Sequence, residues 1–171
     1  MRVLITVASK HNATAEIGVE IAFVLQSRGI EVVNLPPETV TDLAGYDAVI
    51  AGSSVYEGRW LKPAERFVTD HRDALTAMPT WLFSSGPIGD PPMPAEHAVS
   101  IDKLIQAVTP RDHAVFAGRL DSTTLGFVER ALVRALRTPE GDFRDWEAIR
   151  AWAATIAGAP VPATAPRAVR A

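Results

Sequence analysis

The sequence predicts a doubly wound α/β fold, in which helices cover both faces of a five-stranded parallel sheet with the strand order 2-1-3-4-5. Short β-branched runs alternate with segments of helical periodicity along most of the chain. Parallel neighbours need crossover connections, and the helical segments lie where such crossovers belong. The chain has 171 residues, of which 47% are hydrophobic and 22% charged, so it suits one globular domain with a sizeable core.

The strands are predicted from apolar runs and from the residues that end them. The first run, residues 3–7, is almost continuously apolar, which is typical of a parallel strand covered on both faces. Pro36 and Pro37 end the second run. The five predicted strands cover residues 3–7, 30–35, 48–51, 80–83 and 114–117.

The helices are predicted from apolar residues that recur every three or four positions. The first begins after Thr14, and Gly29 is expected to follow it as a C-cap. The other helical segments cover residues 39–43, 61–75, 98–108 and 145–157, and Gly158 ends the last one. Residues 159–171 are rich in Pro and Ala without periodicity, so we expect a domain over residues 1–158 and a disordered tail.

Composition excludes several classes of function. The chain has no cysteine, which excludes disulfides, thiolate metal sites and cysteine nucleophiles, so redox chemistry would need a borrowed cofactor. A net charge of -3 and the absence of a basic tract argue against a nucleic-acid partner. The sequence shows neither a signal peptide nor a membrane span, and we expect a cytoplasmic location.

The loops after strands one, three and four should meet at one edge of the sheet, beside the first strand. The first of them, "ASKHNAT", joins a buried strand to a helix N-terminus. Ser9 and Thr14 supply hydroxyl donors, the backbone of residues 11–14 supplies amides, and the helix dipole favours an anion. Asn12 suits a left-handed backbone position. This loop predicts a phosphate site, and the alternative is that Thr14 only caps the helix.

The other two loops favour a flat ligand. In "GSSVYEGRW", Tyr56 and Trp60 flank Gly58 and offer two apolar faces, although Trp60 could instead pack on the following helix. In "SSGPIGDPP", glycine backbone can approach a planar ring closely, and prolines stiffen the loop. The second and third loops therefore predict the two sides of a ring site.

Competing motifs are missing. The chain has no G-x-x-x-x-G-K-[ST] and no G-x-G-x-x-G, which argues against a P-loop NTPase and a dinucleotide-binding domain. The strand ends lack the acidic cluster of a phospho-receiver domain, and the histidine spacing makes no metal site. Four serines follow the third and fourth strands, namely Ser53, Ser54, Ser84 and Ser85. No histidine can be placed beside them from the sequence, so no nucleophile triad is predicted.

Taken together, five segments resemble flavodoxin-like proteins, and within them the menaquinone-dependent protoporphyrinogen oxidase type. They are "SKHNAT", "YDAVIAGSSVYEGRWLKPAERFV", "FSSGPIGDPP", "AVFAGRL" and "DWEAIRAWA", which span nearly the whole domain. The resemblance implies non-covalent FMN. It places the phosphate among Ser9, Lys10, His11, Asn12, Ala13 and Thr14, one side of the ring along Ser54, Val55, Tyr56, Glu57, Gly58 and Trp60, and the other side along Ser85, Gly86, Pro87 and Gly89.

The phosphate loop departs from the family pattern. Simple flavodoxins carry a Thr-Gly-Asn-Thr-like loop, whereas this chain has Lys10 to Ala13 between its two hydroxyls. The identity of the bound anion therefore stays open, and a deazaflavin (F420) with a long acidic tail would also suit Lys10.

A long insertion, "DSTTLGFVERALVRALRTPEGDF", precedes the final helix. Its spacing predicts a helix over residues 125–137 with Arg130, Arg134 and Arg137 on one face. The simpler interpretation is a solvated face over a packing stripe. The functional interpretation is docking of an anionic partner, either a porphyrinogen with propionates, a quinone-containing membrane surface with acidic lipids, or an acidic redox protein.

The resemblance implies an FMN-dependent oxidoreductase, in which a porphyrinogen donates electrons to the flavin and a quinone accepts them. Such a protein could contact the inner face of the membrane peripherally. Two alternatives stay open from the sequence: a soluble electron carrier between two redox proteins, and a domain that has lost its flavin and regulates or scaffolds.

Overall fold

The computed structural model covers the chain and is described for residues 1–56, 58–86, 101–121, 123, 126, 127, 131 and 140–160. The strands are β1 (Arg2–Ala8), β2 (Glu31–Leu35), β3 (Ala48–Tyr56), β4 (Arg59–Trp60), β5 (Thr80–Ser85), β6 (Asp112–Phe116), β7 (Arg119–Leu120) and β8 (Gly141–Asp142). The helices are α1 (Ala13–Ser27), a 3₁₀ turn (Pro37–Thr39), α2 (Lys62–Asp70), α3 (Arg72–Ala77), α4 (Asp102–Val108) and α5 (Trp146–Gly158).

The main sheet has the order β2-β1-β3-β5-β6, and each of these neighbouring pairs is parallel. This confirms the predicted order 2-1-3-4-5, because β1, β2, β3, β5 and β6 are the five strands expected from the sequence. β1 lies between β2 and β3, with Val3 paired to Val32 on one side and to Ala48 on the other. The direction of strand addition therefore reverses beside β1.

Side chains that alternate along the strands form one core on each face of the sheet. On one face, Leu4, Val49 and Leu82 belong to the same cluster as buried residues of α2, α3 and α4. On the other face, Ile5 and Phe83 belong to the cluster that includes α1 and α5. Burial on both faces explains why the first strand is nearly all apolar.

The observed elements differ from the predicted ones mainly in their lengths. β3 and β5 continue to Tyr56 and Ser85 because their polar ends pair with each other, Ser53 with Ser84 and Ser54 with Ser85. The helix predicted over 61–75 is interrupted at His71, which separates α2 from α3. The segment predicted as a helix over 39–43 is instead the short 3₁₀ turn at 37–39. Of the helix predicted over 98–108, the described part is α4.

Two short pairings at the carboxyl edge were not predicted. β4 runs antiparallel to the end of β3, with Val55 paired to Trp60. β7 and β8 form a separate two-stranded ribbon, with Arg119 paired to Asp142. Each pairing adds backbone at the edge of the sheet where a ligand was expected.

Some predictions lie outside the described residues. These are the face formed by Arg130, Arg134 and Arg137 and the disordered tail beyond residue 160. Among the helices that the structure describes, none is long and apolar enough to cross a membrane.

Gly52 is required by the packing of β3 against β5. A Cβ at this position would lie 2.2 Å from Cζ of the fully buried Phe83 ring. We expect Gly52→Ala to lower the free energy of unfolding by about 1–3 kcal/mol, because the ring cannot move without disturbing the core. Urea unfolding measures the change. Gly158→Ala is the control, since a Cβ there meets nothing within 4 Å. Equal losses in the two variants would contradict this account of the packing.

Candidate functional site

A cavity of about 210 Å³ opens at the carboxyl edge of the sheet, beside β1. It lies where the strand order reverses, the position at which open α/β sheets bind ligands. The segments after β1 and β6 and the carboxyl ends of β3 and β5 form its walls. The lining residues are Ser9, His11, Ala13, Thr14, Ser54, Val55, Tyr56, Ser85, Gly86, Gly118, Arg119, Leu120 and Asp121.

The N-terminus of α1 forms one wall of this cavity. Asn12 occupies the N-cap position in a left-handed conformation, with φ 62° and ψ -17°, which confirms the backbone geometry predicted for it. Its side chain makes no capping hydrogen bond. The N-cap side chain therefore leaves the positive end of the helix dipole available to an anion that enters the cavity.

Two hydroxyl groups connect α1 to β3. Thr14 Oγ1 and Ser54 Oγ lie 2.9 Å apart, and both residues are buried. Because the N-cap is Asn12, Thr14 lies inside the helix, and the alternative that it only caps α1 is wrong. Thr14 instead fastens the first turn of α1 to the end of β3.

Ser9 provides an unsatisfied polar atom in the same wall. Its Oγ is buried and has no hydrogen-bond partner among the described residues. Leaving a buried hydroxyl unpaired costs free energy. An acceptor such as a phosphate oxygen, held in the cavity that Ser9 lines, would satisfy it.

The end of β3 and the end of β5 with Gly86 form the walls predicted for the ring. Tyr56 lines the cavity with 39% of its surface exposed, and Lys10 Nζ lies 5.1 Å from the centre of its ring. Gly86 lies against β3, because a Cβ there would be 3.0 Å from Val55 Cβ and 3.3 Å from the Val55 carbonyl oxygen. Glycine at this position allows Gly86 and Val55 to approach each other this closely.

The fourth wall, residues 118–121, was not predicted. The ribbon of β7 and β8 holds it in place, and Arg144 joins this ribbon to α1. The Arg144 guanidinium donates to both carboxylate oxygens of Asp142, at 2.8 and 2.6 Å, and to Glu16 Oε2 at 2.6 Å. It also donates to the carbonyl oxygen of Ala13 at 3.0 Å. One buried arginine therefore fixes the ribbon to α1, which forms another wall of the cavity.

The charges of this cluster stabilise one another. Hydrogen bonds from Arg144 hold the pKa of the Asp142 carboxyl below its usual value, although partial burial opposes the shift. Asp142, in turn, raises the pKa of Arg144. The pair therefore stays ionised across the physiological range. A signal for this wall existed in the sequence, because "AGRL" follows the fifth strand and the end of that strand reaches the same edge.

Comparison with known proteins identifies the family. The family model described as "Flavodoxin domain" matches residues 4–146. The chain belongs to the flavodoxin domain family. No curated protein sequence matches it significantly.

Flavodoxin structures show the same fold at low sequence identity. Oxidised flavodoxin 1 from Bacillus cereus is 18% identical, with a TM-score of 0.63 over 94% of this chain and 99% of that chain. A Streptococcus pneumonia TIGR4 flavodoxin is 17% identical, with a TM-score of 0.62 over 92% of this chain and 99% of that one. Rubredoxin oxygen:oxidoreductase from Desulfovibrio gigas is 14% identical, with a TM-score of 0.60 over 92% of this chain but only 35% of that protein.

Membership of the flavodoxin domain family supports a flavin-binding redox protein, and the cavity of this flavodoxin domain fits such a group. It offers a buried hydroxyl at Ser9 and a helix N-terminus for a phosphate, and Tyr56 and Gly86 line it where a ring is expected. Of the residues predicted to hold the cofactor, the cavity brings together Ser9, His11, Ala13, Thr14, Ser54, Val55, Tyr56, Ser85 and Gly86.

The other residues predicted to hold the cofactor either do not line the cavity or lie outside the residues that the structure describes. Asn12 contributes the helix cap, Lys10 lies over the Tyr56 ring, and Gly58 adopts a positive φ of 75° at the turn between β3 and β4. Glu57, Pro87 and Gly89 lie outside the described residues.

Trp60 belongs to the core rather than to the cavity wall. Its side chain is 3% exposed and joins the cluster that contains Ala64 and Phe67 of α2. Its Nε1 donates to Ser84 Oγ at 2.8 Å. The prediction that Trp60 lies along the ring is therefore corrected in favour of the alternative, packing on the following helix. Its indole connects β4 to β5.

A histidine does lie beside one of the four serines, contrary to the sequence analysis. His113 Nε2 is 2.9 Å from Ser84 Oγ, because β6 pairs with β5 and brings the imidazole alongside. Ser84 is fully buried and does not line the cavity, so this pair cannot reach a substrate there. It links Trp60 of β4 to β6 through one hydroxyl.

Burial lowers the pKa of His113 below 6.5, although the Asp112 charge opposes the shift. Between the lowered pKa and 6.5 the unfolded chain binds more protons than the folded chain, so stability falls as the pH is lowered through this window. We expect His113→Gln to flatten the decrease in unfolding free energy from about pH 7 to about pH 5. Urea unfolding at both pH values measures it. His71→Gln, which changes the histidine after α2, is the control, and a wild-type slope in His113→Gln would contradict the assignment.

Proposed function

We propose that this flavodoxin domain binds FMN non-covalently in the cavity beside β1 and acts as an FMN-dependent redox protein. The observation that carries the proposal is the meeting of the α1 N-terminus and the unsatisfied Ser9 hydroxyl in one cavity with the ends of β3 and β5. When bound, FMN supplies reversible uptake and release of electrons. The chain lacks cysteine and needs such a group for redox chemistry.

The residues divide into two tasks. Ser9, Thr14 and the backbone amides of residues 11–14 would hold the phosphate, where hydroxyl and amide donors converge at the positive end of α1. Val55 and Tyr56 would line one side of the ring, and Ser85 and Gly86 the other. These groups bind and orient the flavin and leave the electron transfer to it.

The finer proposal concerns the reaction: oxidation of a porphyrinogen, with a quinone as electron acceptor. Its support is the sequence resemblance to menaquinone-dependent protoporphyrinogen oxidases and the insertion over residues 121–143, which a minimal flavodoxin does not need. In this proposal the arginines at 130, 134 and 137 dock the protein on acidic lipids, beside the quinone.

An alternative proposal is a soluble electron carrier, favoured by the flavodoxins among its structural neighbours. An anaerobic assay with protoporphyrinogen and menaquinone separates the two. The oxidase proposal predicts quinone-dependent turnover, and it also predicts co-sedimentation with acidic vesicles that a triple alanine variant of Arg130, Arg134 and Arg137 loses. A carrier would show neither.

The cofactor is tested by the absorbance spectrum and mass of the small molecule that the denatured protein releases. About one equivalent of FMN is expected. A deazaflavin such as F420 would replace FMN in the proposal. A protein that releases nothing and refuses added FMN would contradict it and favour a scaffold.

Thr14→Val tests the phosphate wall. The substitution removes a hydroxyl donor and leaves the buried Ser54 hydroxyl without the partner it has in the folded protein. We expect FMN binding to weaken by about 1.5–3 kcal/mol, the range for a hydrogen bond to a charged group. A fluorescence titration measures the Kd. Thr14→Ser keeps the hydroxyl and should bind within about threefold of wild type. Unchanged affinity in Thr14→Val would remove Thr14 from the site.

A further inference from the structure

We propose that Arg119 binds the phosphate of the flavin and makes the site select phosphorylated over unphosphorylated flavin. The inference rests on the proposed function, since it assumes a flavin in the cavity. It concerns a residue in the wall that the sequence analysis missed.

Arg119 lies where it can reach a phosphate at the α1 N-terminus. It belongs to β7 and lines the same cavity as Ser9, and its Nη1 lies 3.3 Å from Oε2 of Glu16 in the first turn of α1. Its guanidinium therefore lies next to the end of α1 that would hold the anion, because it contacts a side chain of the first helical turn. The planar fork of an arginine suits phosphate oxygens.

The Glu16 carboxylate explains why a cation is needed there. A negative charge in the first turn of a helix interacts favourably with the helix dipole, and it would repel a phosphate bound at the same end. Arg144 and Arg119 both contact Glu16 Oε2, at 2.6 and 3.3 Å. The two guanidinium groups offset this charge and leave the helix end able to accept a dianion.

Of these two arginines, only Arg119 can exchange its contact with Glu16 for a contact with a ligand. The Arg144 side chain is 3% exposed, donates to both oxygens of Asp142, and lies 4.4 Å from the centre of the Trp146 ring. The Arg119 side chain is 28% exposed, and its contact with Glu16 is longer. Partly exposed ion pairs of this kind contribute little to stability, so Arg119 can turn its N–H groups to a ligand at small cost.

Lys10 is less suited to the phosphate. Its ammonium lies over the Tyr56 ring, 5.1 Å from the ring centre, which places its charge on the wall expected for the flavin ring. Arg119 instead contacts Glu16 in the first turn of α1. Its charge therefore lies beside the helix end that would hold the phosphate.

The test compares Kd values for FMN and riboflavin, which differ only in the phosphate. In Arg119→Gln we expect the FMN Kd to rise roughly 10- to 100-fold and the riboflavin Kd to change less than about threefold. The matched control is Arg150→Gln, because Arg150 Nε also pairs with a glutamate of α1, Glu20 Oε1 at 2.5 Å, but does not line the cavity. We expect this control to bind both flavins like the wild type.

A second variant should lower the FMN Kd instead of raising it, and a folding defect would not tighten binding. Glu16→Gln removes the carboxylate that repels the phosphate and competes for Arg119, so the FMN Kd should fall by about threefold or more with riboflavin unchanged. Equal losses for both flavins in Arg119→Gln, no loss for either, or weaker FMN binding in Glu16→Gln would overturn the role of Arg119. A wild-type protein that binds neither flavin would instead overturn the proposed function itself.

Discussion

The position of β1 between β2 and β3 determines where both cores and the cavity lie. Val3 pairs with both neighbours, and apolar residues above and below the strand fill both cores. Because the strand order reverses here, the connections that leave β1 and β3 diverge to opposite faces and leave a gap at the carboxyl edge. The N-terminus of α1 is directed at this gap, so the fold itself creates a place for an anion before any side chain is considered.

Buried hydroxyl groups then hold the walls of the gap. Thr14 bonds to Ser54 between α1 and β3, and Ser84 accepts from Trp60 to hold β4. Ser53 Oγ accepts from the Leu61 amide at 3.0 Å and donates to the Ser54 carbonyl oxygen at 2.8 Å. Such buried bonds are costly to break, because each lost partner leaves a desolvated polar group. These bonds connect α1, β3, β4 and β5 to one another without a ligand, and such preorganisation reduces the entropy lost on binding.

Sequence patterns predicted the strand order and much of the cavity, because both follow from local signals. Apolar runs mark strands covered on both faces, and Asn12 marks a left-handed helix cap. The features that were missed depend on contacts between distant residues. The sequence could place Trp60 beside a ring, but the pairing of β4 with β3 puts its side chain in the core. His113 lies beside Ser84 because β6 pairs with β5. Arg144 contacts Glu16 across 128 positions of sequence, so no local pattern could reveal this contact.

We expect a flavin in this cavity with its phosphate at the N-terminus of α1, and a crystal structure of the protein with FMN bound would show where the flavin lies. Phosphate oxygens are expected within about 2.7–3.2 Å of Ser9 Oγ and of amides between residues 11 and 14, with the ring beside Tyr56. A phosphate bound away from α1, or a flavin outside the cavity, would contradict this expectation.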